Sequence, residues 1–354
     1  MTLLLYILRQ LTVSTAFAVG ALGFVVFPGI AVSAVHRLGG VSLQAVLTYI
    51  PLVGVELAPY LVSLGFLLGV VSTFGRLAAD REWIAVSMSG IHPFRTLIPG
   101  AMLAVVLGCG TYALLANVSP VWKLEQGNFR GNALLEAFRN LAPGRSELDL
   151  GPFYLGAVSR DGDAFVDVQI HVPREGGKEN LVLVAERAEL SISDDELFVQ
   201  LIEARTVKRD EMLRSAAPAV VINLSELITR RSKDPTLAKH QTSAAILAAL
   251  SDGQLEQERE LSYRFEVHRR FAVGATYLVF LLVGIPTGLW LRSGNQLVGM
   301  GAAAIYAFTY YILSLRLGAA LAQSGTVPPE LAAWTTNLLG AAVGVFLLWR
   351  VVRR

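Results

Sequence analysis

Six long segments without charged side chains constrain this chain more than any other feature of its sequence. They cover residues 10–35, 41–75, 96–122, 271–291, 293–315 and 331–349, and the only charge inside them is Glu56. A helix needs about 20 predominantly apolar residues to cross the hydrocarbon of a bilayer, where charged side chains are costly. The pattern therefore predicts six transmembrane helices, three on each side of a long central section.

Most of the charge lies in that central section. Of the 30 Lys and Arg residues, 20 fall between Lys123 and Arg270, although only 16% of the whole chain is charged. Soluble domains carry about a quarter charged residues, so the chain divides into membrane, soluble and membrane sections. The net charge of +2 is too small to indicate a nucleic-acid partner, and the single Cys109 excludes a disulfide within one chain.

Basic residues in the short loops predict which way the helices run, because cytoplasmic loops are enriched in Lys and Arg. With the N-terminus in the cytoplasm, only Arg37 and Arg316 fall in short outer loops. The inner side then holds Arg9, Arg76, Arg81, Arg95, Arg292, Arg350, Arg353 and Arg354. We therefore expect a multi-pass protein of the bacterial inner membrane with both termini in the cytoplasm and the central section in the periplasm.

The central section changes from a helical to a strand pattern after Pro143-Gly144. Four segments then alternate apolar and polar residues: FYLGAVS, DAFVDVQIHV, NLVLVAERAELSIS and ELFVQLIEARTV. Asp161-Gly162 and Gly176-Gly177 are turn signals between them. Antiparallel strands without intervening helices predict a sandwich or jelly roll.

The predicted organisation is therefore a six-helix membrane protein with an inserted antiparallel, jelly-roll-like β domain. Transmembrane helices 1–3 occupy residues 1–122, the periplasmic β domain residues 123–265, and transmembrane helices 4–6 residues 266–354. The pairs Gly65/Gly69, Gly284/Gly288 and Gly340/Gly344 either permit close helix packing or occur by chance. Glu56 is either a functional intramembrane acid or an interfacial residue, because its segment is longer than a span needs.

Motifs of enzyme chemistry are absent from the sequence. There is no GxxxxGK[ST] phosphate loop, no HExxH pair and no GxSxG nucleophile turn. The five histidines are dispersed, so no metal site or cofactor is expected. We expect a protein that is not an enzyme and does not hydrolyse ATP itself.

The segment between the second and third spans has the pattern of a short amphipathic helix over about residues 76–92. Leu77, Ile84, Met88 and Ile91 are spaced to share one helical face, and Gly90 is placed to end the helix. Such a helix either lies on the lipid surface or docks on a cytoplasmic partner.

This segment, GRLAADREWIAVSMSGI, resembles the signature of the lipopolysaccharide-export permeases of the LptF/LptG family. The matching positions are Gly75, Arg76, Leu77, Asp80, Glu82, Ser89 and Gly90. The stretches YRFEVHRRFAVGATYLVFLLVGIPTGL and TVPPELAAWTTNLLG resemble the starts of the family's fourth and sixth spans. These motifs do not distinguish the F-type from the G-type subunit.

The resemblance implies a permease of an ATP-driven exporter that extracts lipopolysaccharide from the inner membrane. It implies as partners a paralogous permease, a dimeric LptB-like cytoplasmic ATPase, a single-span LptC-like jelly-roll protein, an LptA-like periplasmic bridge and lipopolysaccharide itself. The ATPase would dock on the segment between spans two and three. The residues implied in coupling are Arg76, Asp80, Arg81, Glu82, Trp83, Ile84, Met88 and Gly90.

Basic residues outside the spans are candidates for binding the lipid's phosphates, since charge-assisted hydrogen bonds suit that contact. His36 and Arg37 follow the first span, and Arg130 matches a basic position just past the third span of the G-type permease. The other interpretation is that these are solvated rim residues. The alternative function for the whole chain is a non-transporting anchor whose β domain binds a protein partner.

Overall fold

Six helices in the described part of the chain are long and apolar enough to cross a membrane, which confirms the predicted number of spans. The computed structural model describes residues 2–37, 43–90, 93–126, 129, 146–149, 154–161, 164–172, 181–193, 196–208, 211–223, 236–290 and 296–352. Each of the six helices covers most of one of the low-charge segments of the sequence.

The helices run as follows. The first three spans are α1 (Thr2–Arg37), α2 (Leu43–Ala79) and α4 (Ile98–Ala113), with the short α3 (Glu82–Met88) between the last two. From α4 the third span continues through a π-helical turn, Leu114–Val118, to Gln126. After the β section come α5 (Ser243–Asp252), α6 (Gln257–Trp290), α7 (Gln296–Gln323) and α8 (Pro329–Val352).

The membrane helices form one compact unit of residues 1–26, 54–122 and 236–354. Its core lies where α2 and α6 meet, and α6 is the most buried of the six spans while α1 is the least. The largest core side chains from these two helices are Phe66, Leu67, Phe74, Tyr277 and Phe280. Residues 236–265, which precede most of the fourth span, group with the membrane helices in this unit.

Small residues allow the helices to approach closely. A Cβ added to Gly69 would meet the Cα of Thr15 at 2.8 Å, and one added to Gly288 would meet the carbonyl oxygen of Val71 at 2.8 Å. Gly344 faces Leu282 in the same way, at 2.7 Å from its Cβ. All three predicted glycine pairs therefore lie at packed contacts between helices, as their spacing permits.

Polar links between the spans are made largely by tyrosines. The hydroxyls of Thr111 and Tyr277 lie 2.7 Å apart, which joins α4 to α6. Tyr310 of α7 bonds to Thr276 of α6 at 2.9 Å and also to Asn337 of α8. Hydrogen bonds of this kind satisfy polar side chains where water is absent.

The second unit, residues 27–53 and 123–235, contains a six-stranded antiparallel sheet. Its strands are β1 (Ser146–Asp149), β2 (Tyr154–Asp161), β3 (Ala164–Val172), β4 (Leu181–Ser193), β5 (Glu196–Lys208) and β6 (Glu211–Asn223). Among the described residues every pairing joins consecutive strands, so the order β1-β2-β3-β4-β5-β6 is a meander. The antiparallel β domain is confirmed in this form, whereas jelly-roll connections, which pair strands distant in sequence, are not among these pairings.

The regular alternation of inward-facing and outward-facing side chains is interrupted at one row of residues that crosses β3, β4 and β5. Residues three apart normally face opposite sides of a strand, yet Phe165 and Val168 are both buried, with Asp167 exposed between them. Asp167 and Glu203 have φ values of 52° and 55°, a conformation uncommon outside glycine. The shift keeps these carboxylates outward while one face stays apolar. The buried residues of this apolar face are Phe165, Val168, Ala185, Ala188 and Leu201.

Candidate docking surface between the second and third spans

The segment after the second span folds as two helices joined by a sharp break. Helix α2 continues to Ala79, and α3 then begins at Glu82. Between them Arg81 adopts a left-handed conformation with φ of 61°, and its carbonyl accepts the first backbone hydrogen bond of α3 from Ala85 at 3.1 Å. The break re-aims the chain, so α3 is not an extension of α2.

This break corrects the prediction of one amphipathic helix over residues 76–92. Leu77 belongs to α2 and is buried in the membrane core, whereas Ile84 and Met88 belong to α3 and are exposed. These three residues therefore do not share a face, and Ile91 lies outside the described residues. The predicted stop is confirmed, because Ser89 caps α3 and Gly90 follows with φ of 76°.

Trp83 anchors α3 to the membrane unit. Its indole packs edge-on against Phe74 of α2, with ring centroids 6.2 Å apart, and it is partly buried against the central core. Such an edge-to-face pair contributes about 0.5–1.5 kcal/mol beyond the area that it buries. An aromatic contact near the N-terminus of α3 therefore helps to set its orientation.

The opposite side of α3 is exposed in the part of the chain that the structure describes. No residue of α3 is buried, and the side chain of Met88 is 83% exposed. Ile84 lies one turn earlier and is also exposed, so the two form a short apolar stripe. Methionine is unbranched and polarizable and adapts its shape to a partner surface.

Two contacts from α1 hold the charged residues of this segment. The hydroxyl of Tyr6 lies 3.3 Å and 3.4 Å from the two carboxylate oxygens of Glu82. The amide oxygen of Gln10, in the orientation that satisfies its neighbours, accepts from the guanidinium of Arg76, with Nε at 2.6 Å. Tyr6 and Gln10 are four residues apart and so lie on one face of α1. Sequence reasoning missed Tyr6 and Gln10, because only the packing of α1 in the tertiary structure brings them close to this segment.

The candidate lipid-binding residues are less completely described. His36 and Arg37 lie in the last turn of α1, but their side chains are outside the described residues, as is all of Arg130.

Asp80 and Arg81 are exposed at the break beside α3. The structure thus assembles the predicted coupling residues in one place, with Tyr6 and Gln10 added to them.

Comparison with known proteins matches nearly the whole chain to one family. The family model described as "Lipopolysaccharide export system permease LptF/LptG" matches residues 5–350. The "Lipopolysaccharide export system permease protein LptF" of Escherichia coli (strain K12) is 22% identical over 326 residues, which cover 89% of this chain and 85% of that protein. The protein of the same name from Shigella flexneri matches with the same identity and coverage.

Proposed function

The chain belongs to the LptF/LptG family of lipopolysaccharide export system permeases, and on that premise we propose that it is one permease subunit of an ATP-driven exporter. The exporter extracts lipopolysaccharide from the inner membrane and passes it to a periplasmic β-jelly-roll bridge. Membership of a permease family makes the chain a transporter rather than an enzyme. Its ATP is hydrolysed by a separate, dimeric, LptB-like cytoplasmic subunit, and a paralogous permease completes the membrane pair.

One observation carries the coupling part of this proposal: α3 presents an exposed apolar stripe, with Ile84 39% and Met88 83% exposed. A lipid surface is a poor occupant for α3, since Asp80 and Glu82 lie beside it and anionic headgroups of the inner leaflet repel carboxylates. A protein groove with basic residues suits both the stripe and the acids. We assign that groove to the ATPase.

The β domain supplies the proposed path beyond the membrane. Its strands β4, β5 and β6 are 13 residues each, and the sheet carries one apolar face. The described residues of that face are buried, so the face would have to open to take up lipid. Once open, it would shelter acyl chains from water, at about 25 cal/mol for each Å² of apolar area. An LptC-like jelly-roll protein and an LptA-like bridge would continue that surface in the periplasm.

Basic residues just outside the membrane would receive the phosphates of the lipid. We assign this role to His36 and Arg37 after the first span and to Arg130 after the third. Positive charge at the outer surface is the chemistry that a phosphorylated headgroup requires. This placement depends on both termini lying in the cytoplasm and the β domain in the periplasm.

The direct test is purification followed by reconstitution. The tagged chain, co-expressed with its genomic neighbours, is expected to bring down an ATPase and a second six-span permease, as identified by mass spectrometry. In liposomes the complex should release lipopolysaccharide to an added periplasmic acceptor only when ATP is hydrolysed. A chain that purifies without any ATPase would favour the membrane-anchor alternative. A complex that hydrolyses ATP without releasing lipid would contradict the proposed export activity.

A further inference from the structure

The short helix α5 packs beside the membrane spans rather than beyond them. Its Ile246 is fully buried against Tyr263 and Val267 of α6. The helix also contacts the π-helical turn Leu114–Val118 of the third span, whose uncharged segment continues to residue 122. The part of the third span beside α5 is therefore still apolar, whereas the residues of α6 beside it belong to the charged stretch 257–270.

A ring contact shows which part of α6 lies level with this part of the third span. Tyr112 stacks on Phe271, with ring centroids 4.2 Å apart. Phe271 is the first residue of the uncharged segment of α6. The turn that α5 touches begins two residues after Tyr112, and Ser243 at the start of α5 bonds to Arg270. The helix therefore starts beside the apolar part of both spans and then continues along the charged part of α6, where Ile246 packs on Tyr263 and Val267.

The outward face of α5 carries no charge. Residues 241–251 contain no Asp, Glu, Lys or Arg, and Leu247 is 53% exposed. Its exposed neighbours on the helix are Ala244, Ala245, Ala248 and Ser251. A helix that faces water usually presents charged residues on that side. A protein interface would more typically offer aromatic or Arg anchors, because alanine is depleted there.

The irregular backbone before α5 has its carbonyl groups paired inside the protein. Arg270, 1% exposed, donates to the carbonyl oxygens of Ala238 at 3.0 Å and Gln241 at 2.8 Å. It also donates to Ser243 Oγ at 2.9 Å, and the hydroxyl of Tyr263 donates to the carbonyl oxygen of Thr236 at 2.7 Å. Water would satisfy these carbonyls at no such cost, whereas hydrocarbon requires protein donors.

The charge of Arg270 is itself balanced within α6. Glu266 Oε1 accepts from Arg270 Nε at 3.0 Å and from Arg269 Nη2 at 2.7 Å. A buried guanidinium without such a partner would be strongly destabilising. The whole arrangement is therefore built to hold a short helix and an irregular turn away from water.

We infer that α5 lies in the interfacial region of the bilayer, where the charged start of α6 meets its apolar part, and that Ala244, Leu247 and Ala248 contact lipid acyl chains there. Under the orientation proposed above this is the outer leaflet. That assignment of the leaflet rests on the proposed function, and the lipid contact does not. The inserted domain would thus return to the membrane through a lipid-facing helix before the fourth span begins.

Site-directed spin labelling measures this depth. The full chain, with Cys109 replaced by Ala, receives a single cysteine at Leu247 and is reconstituted into nanodiscs of phosphatidylethanolamine and phosphatidylglycerol. Power saturation compares collisions of the label with oxygen, which concentrates in hydrocarbon, and with a water-soluble nickel chelate. Ala248→Cys is a second variant on the same face, and Asp252→Cys at the end of α5 is the matched control.

We expect the ratio of oxygen to nickel accessibility to be several-fold higher at positions 247 and 248 than at position 252. Equal ratios at the three positions would overturn the inference. A label that is immobile and shielded from both reagents would also overturn it, because a protein surface would then cover the face. The measurement reads depth and not sidedness, so failure of the lipid contact is distinguishable from failure of the proposed orientation.

Discussion

The hydroxyl of Tyr6, in the first turns of α1, lies 3.3 Å and 3.4 Å from the carboxylate oxygens of Glu82, the first residue of α3. This contact joins the least buried span to the proposed docking helix. A movement of α3 against a partner would therefore be transmitted to α1 through this hydrogen bond. A partner that docks on α3 can also compete with Tyr6 for Glu82. Mutation of Glu82 should therefore affect docking itself, whereas mutation of Tyr6 should affect only the transmission of docking to α1.

Glu82→Ala should leave the protein folded and inserted while it weakens docking of the ATPase. Removing one member of an interfacial charge pair costs about 2–5 kcal/mol of binding, whereas the lost bond to Tyr6 is partly exposed and contributes little to stability. Recovery of the ATPase on the tagged chain measures the effect. Glu258→Ala, an exposed acid at the start of α6, is the control. Full recovery and normal lipid release in the Glu82 variant would show that Glu82 is only a solvated helix residue.

Tyr6→Phe should preserve docking and reduce the lipid released for each ATP hydrolysed. The substitution removes only the hydroxyl, so the ring packing of α1 is retained and Glu82 stays available to the ATPase. Simultaneous measurement of phosphate production and lipid release in liposomes separates coupling from assembly. Ser87→Ala removes a hydroxyl of α3 that bonds only to its own helix, at Trp83, and should change neither rate. An unchanged coupling ratio in the Tyr6 variant would argue against transmission through this contact.

Arg270→Met should destabilise the protein by about 2–6 kcal/mol, because it removes the donor to the buried carbonyl oxygens of Ala238 and Gln241, at about 1–3 kcal/mol for each. Methionine keeps much of the side-chain volume, so the loss reports on the hydrogen bonds. Thermal unfolding in detergent provides the measurement. Arg264→Met is the matched control, since Arg264 pairs with Glu260 on the exposed side of the same helix. Similar unfolding temperatures for the two variants would contradict the role given to Arg270.

Gly288→Ala should cost about 1–3 kcal/mol of stability, as overpacking of a tight contact does. The added Cβ would lie 2.8 Å from the carbonyl oxygen of Val71 and 3.0 Å from the backbone nitrogen of Gly75, neither of which yields easily. Gly20→Ala meets nothing within 4 Å and should be neutral or slightly stabilising. Equal unfolding temperatures for both alanine variants would show that α2 and α6 have room to separate.

A cysteine at Ser193, in a background without Cys109, should react with a membrane-impermeant maleimide from the periplasmic side of intact cells. Ser193 ends β4, so it reports the side on which the sheet lies. A cysteine at the exposed Ser87 should react only after the inner membrane is opened. The reverse pattern of labelling would invert the proposed topology.

Much of the architecture follows from local patterns in the sequence. An uncharged segment long enough to cross a bilayer has few other stable conformations, and the described residues of all six such segments lie mostly in the six candidate spans. The period-2 segments correspond to β2, β3, β4 and β5 within a few residues, because alternation is itself what places one face of a strand inward. The shorter β1 and the strand β6 lay outside those four segments and were missed.

The tertiary structure decided what the local patterns leave open. The left-handed backbone at Arg81 separates α2 from α3, so Leu77 lies in the core and Met88 on the surface, although a single helical period fits both. The tertiary structure also brought Tyr6 to Glu82 across 76 positions of sequence and Arg270 to carbonyl groups about 30 residues earlier. Periodicity reports which side of one element avoids water. Which elements meet, and which polar groups then need a partner, depends on packing between distant segments that no local pattern records.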